Sequence, residues 1–262
     1  MRPGWWLTPI ALAAVAACSE AQLTRSVTAT DGTVQVLFPS SPTVCGDGQS
    51  YIRKLERSGE EQTFVETNGF SGRDSWSRRP CVSGQGRALA TVIDGEVTRL
   101  SLFVGPVPSQ ASGTRTLTAN AADAAAWLGS LTDAPESRVV SQAIQGLMFV
   151  DAPPPWPLLL RIARDTRRTR GVRQSALTWL SYGVTDKLGL SDADEHGSDD
   201  DEMRAQAVFV LSQRPKTESV PQLIEIVRTA KSPVARKTAI FWLGQSGDPR
   251  AVEVYAELLG LR

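Results

Sequence analysis

The last third of the chain repeats one pattern of apolar positions, in which an alanine is followed four residues later by a leucine. The pattern is found at residues 143–147, 176–180, 207–211 and 239–243, and it is weakest in the first copy. The alanines are 33, 31 and 32 residues apart. A fixed period in this range is typical of helical repeat proteins, in which each unit is a helix pair that stacks on its neighbours.

Each copy extends upstream by two further residues of constant character. An arginine stands seven residues before three of the leucines, at Arg173, Arg204 and Arg236. An apolar residue stands eight before all four, so positions −8, −4, −3 and 0 lie on one face of a 3.6-residue helix. In the third copy this face comprises Met203, Ala207, Val208 and Leu211.

A second amphipathic run follows the last two copies, after Pro221 in one and after Gly247-Asp248-Pro249 in the other. Proline is well suited to the first turn of a helix, and glycine followed by aspartate indicates one helix end and the next N-cap. The segment VARKTAIFWLGQSGDPRAVEVYAELL, residues 234–259, resembles a HEAT repeat, and the resemblance extends over 137–260. It implies a scaffold that presents a binding surface.

The second copy departs from this pattern, because no clear second helix lies between Tyr182 and Asp201. Insertions in a solenoid form loops on one face, which is often the binding face. In the first copy, the three prolines at 153–155 precede a second helix expected near Trp156–Arg164.

Residues 31–117 alternate between apolar and polar positions in short runs, which predicts strands. The strongest signal is a hairpin of residues 87–93 and 96–104 around Asp94-Gly95, with Leu100, Leu102 and Val104 on one face. Shorter strands are predicted at 33–38, 51–55 and 62–66, and a long loop at 68–85. Thr118 is predicted to cap a helix over 119–131. The expected fold class is α+β: a small N-terminal β module, 31–117, which caps a HEAT-like α-solenoid of about four helix pairs, 118–262.

The N-terminus is typical of a targeting segment. Arg2 is followed by an apolar run over 5–17, which is too short for a transmembrane helix, and then by Cys18. Val15-Ala16-Ala17-Cys18 resembles a bacterial lipobox. This resemblance implies a signal peptide at 1–17, lipidation of Cys18, and an exported lipoprotein facing the periplasm or cell exterior. The alternative is cleavage after an Ala-x-Ala site, which gives a soluble secreted protein. Residues 18–30 are predicted to be a flexible tether.

Two further cysteines, Cys45 and Cys81, form an even pair in a chain expected to be exported, and this favours a disulfide. The alternative is a pair of reduced, buried thiols. A metal site of cysteine and histidine is not expected, because the single histidine, His196, lies far along the chain.

The chain has no HExxH, GxSxG, Walker or GxGxxG motif, so no catalytic residue, cofactor or small-molecule substrate is predicted. Its formal net charge is zero, with a sequence pI near 6.6, which argues against non-specific nucleic-acid binding.

Two blocks of charge have opposite sign. The basic block surrounds the turn into the second copy, and the acidic block occupies the insertion. As solvated surfaces they need no function, and acids also suit the first turn of the helix expected near Asp201. Alternatively, the basic and acidic blocks face each other across one end of the solenoid, or they form a binding site for a charged partner. A calcium loop is disfavoured, because its fifth and twelfth positions are His196 and Met203. The predicted partner-binding residues are Arg161, Arg164, Arg167, Arg168, Arg173, Asp192, Asp194, Glu195 and Asp199.

The function predicted from these features is a non-catalytic scaffold or adaptor at the cell envelope, which binds a protein through the solenoid. The first alternative is an envelope enzyme whose site lies on loops of the β module, especially 68–85. The second is a sensor of anionic lipid or polymer that binds through the arginines.

Overall fold

The computed structural model describes residues 20–49, 51–55, 61–66, 81–108, 113–191, 193 and 198–261. Strands fill most of the first half of this part, and helices the second half. The strands are β1 Gly32–Pro39, β2 Val44–Gly46, β3 Tyr51–Leu55, β4 Glu61–Glu66, β5 Gln85–Ile93, β6 Glu96–Val104 and β7 Arg115–Thr118. The helices are α1 Glu20–Thr28, α2 Ala121–Ser130, α3 Ser137–Leu147, α4 Trp156–Arg164, α5 Arg170–Lys187, α6 Asp199–Ser212, α7 Lys216–Thr229, α8 Pro233–Gln245 and α9 Pro249–Leu259. None of the helices among these residues is both long and apolar enough to span a membrane.

The predicted hairpin, β5 and β6, forms one side of a four-stranded sheet with the order β6-β5-β1-β7. Asp94 and Gly95 have φ of 53° and 76°, and the two positive values give the tight turn that the Asp-Gly pair predicted. β1 is antiparallel to β5 and parallel to β7. Leu100, Leu102 and Val104 are all buried, as the alternation predicted.

A second, three-stranded sheet has the order β2-β3-β4 and is joined to the first by several short links. The Cys45–Cys81 disulfide is formed, which confirms the predicted pair. The Gly46 amide donates to the Val82 carbonyl, and Val82 returns the bond, both at 3.0 Å. The buried Arg87 stacks 4.1 Å from the ring centre of Phe103 and donates from Nη2 to the Gly48 carbonyl. Burial lowers the pKa of this guanidinium.

The N-terminal end of the described chain corrects the predicted tether over 18–30. From residue 20 it forms the helix α1, which packs on α2 and β5. Leu23 and Val27 are one helical turn apart and both are fully buried against the sheet core. Two apolar positions are too few to show a period in the sequence, but they suffice to anchor a short helix onto a core.

The start of α2 also differs from its prediction. β7 continues to Thr118, so the helix begins at Ala121 and its N-cap is Asn120, whose side chain accepts from the Asp123 amide at 2.8 Å. The reason is that β7 pairs with β1, which is distant in sequence and therefore leaves no local signal.

Helix α3 lies between the two halves of the molecule. Val139 and Ala143 face the core formed by the sheet, α1 and α2, whereas Val140 and Ile144 face the core of the later helices. Space for a side chain at Gly146 is limited, because a Cβ there would meet Leu102 at 3.2 Å. The β module therefore covers the first helix of the repeat region, as expected.

The helices do not stack in chain order. One row runs α3, α5, α8, α6, and a second row runs α4, α9, α7. The fourth copy, α8 and α9, therefore lies between the second copy and the third. Gln174 Nε2 of α5 donates to the Gly244 carbonyl of α8 at 2.8 Å, and Arg228 of α7 pairs with Glu257 of α9 at 2.9 Å. The α+β class is confirmed, but the helices are not a solenoid with sequential repeats.

This order also corrects the buried face predicted for the third copy. Met203 and Ala207 are exposed in α6, and the buried residues are Ala205 and Val208. The reason is that α6 stands at the end of its row and packs mainly against α7 and α8. A helix in the middle of the row would bury the faces that it turns toward both of its neighbours.

Candidate partner-binding site

The predicted basic block divides into residues that hold a turn together and residues that line a cleft. Arg168 is mostly buried and donates to the Thr132 carbonyl and to Asp133, so it ties the turn after α4 to the turn after α2. Arg167 donates to Asp165 at 2.9 Å, and this bond lowers the pKa of the Asp165 carboxyl. Arg161 is exposed on α4. The structure therefore gives Arg168 a structural role.

Arg164 and Arg173 line a cleft of about 270 Å³ where the end of α4 and the beginnings of α5 and α9 meet. Its apolar wall includes Ala163, Leu177 and Val252. Two more arginines complete the lining, Arg170 from α5 and Arg250 from α9. The role of Arg250 was not predicted, because the sequence Gly-Asp-Pro-Arg indicated only the link between two helices.

Two of the four arginines in the cleft are neutralised by carboxylates. Arg164 binds Glu253 through two hydrogen bonds of 3.0 and 3.1 Å. Arg250 binds Asp248 in the same forked geometry at 2.8 and 2.9 Å, and the hydrogen bond lowers the pKa of the Asp248 carboxyl. These pairs fix the two guanidinium groups along one side of the cleft.

The other two arginines, Arg170 and Arg173, make no ion pair with any residue in the described part of the chain. The Nε atom of Arg173 is buried and donates no hydrogen bond there. A buried donor without an acceptor costs about 1–3 kcal/mol. The cleft therefore presents positive charge, and the Nε of Arg173 in its lining is buried without an acceptor among the described residues.

Arg173 differs in its bonding from the arginines at the equivalent position of the other copies. Arg204 pairs with Asp201 at 2.9 Å and with Asp200 at 3.3 Å. Arg236 donates from Nε to the carbonyl of Val227, at the end of the preceding helix, at 3.1 Å. The arginine at this position of the repeat therefore has a partner in two copies, at Arg204 and Arg236. Among the described residues, Arg173 at the cleft has none.

The described part of the acidic block, at the start of α6, does not line this cleft. Asp192, Asp194 and Glu195 fall outside the described residues, as does His196 of the calcium-loop pattern. Asp199 is exposed in the first turn of α6, where Ser198 caps the helix by accepting from the Asp201 amide. Among the described residues, no group of three or more histidine, cysteine or acidic side chains is placed to hold a metal.

The position of Lys237 shows where the acidic segment leaves α5. This residue of α8 donates to the carbonyls of Ser191 and Ala193, at 2.7 and 2.9 Å. Early α8 lies beside late α5, because Gln174 of early α5 meets Gly244 of late α8. With 18 residues, α5 is roughly 27 Å long, so the arginine cleft and Ser191 are at opposite ends of it.

Ser191 and Ala193 lie at the end of α5 opposite the cleft, and Asp199 lies on α6, which does not line the cleft. Asp192, Asp194 and Glu195 are outside the described residues, so the interpretation in which the two charged blocks face each other stays a prediction. Helices α5 and α6 are separated by α8, so the insertion in the second copy links helices that are not neighbours. Of the predicted partner-binding residues that are described, Arg164 and Arg173 line the cleft.

Comparison with known proteins bears on the last two copies. Residues 194–260 match the family model for HEAT repeats, which covers α6 to α9. This part of the chain is similar to HEAT repeats. No curated protein and no solved structure matches the chain significantly. HEAT repeats commonly act as scaffolds for protein interaction, and this is the functional information that the match carries.

Two other predicted features lie outside the described residues. One is Cys18, with the lipobox that precedes it. The other is most of the loop over 68–85, where the alternative enzyme site was expected, because the description resumes at residue 81.

Proposed function

We propose that this protein is a non-catalytic adaptor at the bacterial cell envelope, and that it binds a protein partner in the cleft between α4, α5 and α9. The observation that carries the proposal is the Nε of Arg173, which has no acceptor among the described residues, next to Arg170, which makes no ion pair there. Both line a cleft whose other side is α9, part of the segment that matches HEAT repeats. An adaptor needs a concave surface with a few strong anchor points, and charged donors of this kind provide them.

The chemistry of the cleft favours a carboxylate on the partner, either an acidic side chain or a chain terminus. Guanidinium groups bind carboxylates through two parallel hydrogen bonds, and such bonds are about twice as strong as neutral ones. The apolar wall of Ala163, Leu177 and Val252 suits an apolar residue beside that carboxylate. Arg164 and Arg250 are already paired with Glu253 and Asp248 and need no ligand of their own, so the net positive charge of the cleft comes from Arg170 and Arg173.

Charge reversal at the cleft is the direct test of this proposal. We expect the double variant Arg170→Glu/Arg173→Glu to weaken capture of the partner from native envelopes by at least about thirtyfold, because two anchor donors become repulsive. The measurement is quantitative pull-down with the purified full chain as bait, followed by binding titration of the captured protein.

The matched control is Arg161→Glu, which makes the same charge change on an exposed side chain that does not line the cleft. Equal thermal unfolding of all three proteins establishes that folding is intact. The proposal is wrong if the same partner binds wild type and the double variant equally well, or if wild type captures no protein.

The envelope location in this proposal is supported by the lipobox-like residues 15–18 and by the Cys45–Cys81 disulfide, since disulfides persist in oxidising compartments. We expect Cys18→Ser to move the protein from the membrane fraction to the soluble exported fraction. In this proposal the lipid attached to Cys18 anchors the protein to the membrane. Loss of that lipid therefore releases the chain. Fractionation with metabolic labelling by a fatty acid checks this, and an unlabelled wild type contradicts it.

A further inference from the structure

Helix α6 concentrates exposed apolar side chains at the end of the helical row. Of the seven large apolar side chains that are exposed in the described part of the chain, three lie on this helix: Met203 at 65%, Val210 at 53% and Phe209 at 37%. Phe209 still contacts Trp242, with ring centres 5.1 Å apart. Met203 and Val210 are thus the principal apolar groups that the fold leaves in solvent here.

These two residues belong to a stripe with charged ends. At 100° per residue, Asp199, Met203, Ala207 and Val210 fall within a sector of about 80° around the axis of α6. Arg214 follows two residues after the helix ends, in a turn where its amide donates to the Leu211 carbonyl at 3.1 Å. All five are exposed. Along the chain the stripe therefore has an acidic residue at its beginning, then Met203, Ala207 and Val210, and a basic residue at its end.

The charges at both ends of the stripe are available. Within the described residues, neither Asp199 nor Arg214 makes an ion pair. The neighbouring Asp200 and Asp201 are different, because both are bound by Arg204 of the same helix. The acid that lies on the apolar stripe is thus left without a cation, while those beside it are neutralised.

We propose that two copies of this chain pair through α6, antiparallel and about a two-fold axis. With the axis between Gln206 and Ala207, Met203 lies against Val210 of the second copy and Asp199 lies against its Arg214. The same register satisfies both contacts at once, and each occurs twice because a two-fold interface is self-complementary. This association is independent of the arginine cleft, which lies at the other side of the repeat region.

The second copy suits this surface because α6 and the turn after it supply both halves of every contact. Ala207 next to the axis lets the two helices approach closely. Helix α6 has 14 residues and is roughly 21 Å long, so a helix pair of this length buries less than a standard protein interface. The dimer is therefore a weak, reversible one, with a dissociation constant of about 10 µM to 1 mM.

The test uses charge reversal in single variants and in their mixture. Sedimentation equilibrium of the full chain is expected to show a monomer–dimer equilibrium for wild type. Asp199→Arg and Arg214→Asp each place two like-charge pairs in the homodimer, and each is expected to weaken it by about tenfold. An equimolar mixture of the two variants restores association to the wild-type level, because every pair in the mixed dimer has opposite charges.

Glu225→Arg on α7 is the matched control, since it is an equal charge change on an exposed position outside the stripe, and it leaves the dimer unchanged. The proposal is overturned if wild type sediments as a monomer at about 1 mM, if either reversal has no effect, or if the mixture does not recover.

A second measurement uses the protein in the cells that make it. Ala207→Cys, next to the axis, is expected to form a disulfide-linked species at twice the chain mass, whereas Glu225→Cys is not. A cross-link from position 207 to a different protein would assign the stripe to that protein and overturn the pairing of two copies.

Discussion

Replacing Cys45 and Cys81 by alanine is expected to lower the free energy of unfolding by about 3–4 kcal/mol. The bond closes a loop with a sequence separation of 36, and the chain-entropy account of a disulfide gives this magnitude for such a loop. A typical domain has only about 5–15 kcal/mol in total, so the loss is large. Urea unfolding followed by circular dichroism measures it.

The sheet core is expected to survive this change, because other contacts hold the same segment. Gly46 remains paired with Val82 through two backbone hydrogen bonds, and the Gly48 amide donates to the Val104 carbonyl at 2.8 Å. Gly105 also packs directly on this backbone, since a Cβ there would lie 2.3 Å from the Gly46 carbonyl oxygen. We therefore expect the urea midpoint of unfolding to fall, while the circular-dichroism spectrum of the native protein is retained.

The single variants Cys45→Ala and Cys81→Ala provide the control. Each removes the whole bond, so each is expected to be destabilised about as much as the double variant. Wild type treated with reductant should behave in the same way. A wild type whose unfolding is unchanged by reduction would contradict the prediction.

Replacing Trp127 by alanine is expected to cost about 3–5 kcal/mol, because a large cavity forms in a core that cannot collapse around it. Trp127 lies on α2, has no exposed surface, and belongs to the core that the sheet shares with α1, α2 and α3. This core joins the β module to the repeat region through α3. The damage therefore extends to both halves of the molecule.

Trp127→Phe is the matched variant that separates volume from polarity. The indole Nε1 of Trp127 is buried and has no hydrogen-bond partner within the described structure. Phenylalanine thus removes no hydrogen bond, and it is expected to cost only about 1–2 kcal/mol. Denaturant midpoints from circular dichroism give both values, and equal losses for the two variants would contradict the cavity argument.

The sequence predicted those parts of the fold that are decided by nearby residues. The Asp94-Gly95 turn, the second helix at Trp156–Arg164 and the first helices of the repeats all follow from local period and turn chemistry. The Cys45–Cys81 bond was predicted from number and expected compartment, and it is confirmed.

The sequence did not predict the neighbours that each element would find. The third copy shows why: Met203 and Ala207 continue the repeat pattern, yet the face that is buried depends on which helix lies beside α6. Repeats of similar sequence offer similar surfaces, so the period identifies the units but not their order in the stack. The open guanidinium of Arg173 has the same origin, because equivalent arginines find partners in the other copies.

The order of the helices has a consequence for how the chain acquires its structure. In a sequential array, each repeat can dock as soon as it is made, and folding proceeds from one neighbour to the next. Here α6 and α7 are synthesised before α8 and α9, although α8 and α9 lie between them and the rest of the stack. The third repeat therefore has no permanent docking surface until α8 and α9 have been made. We expect the repeat region to fold as one cooperative unit, and a chain that ends before α8 to lose the middle of its stack instead of its end.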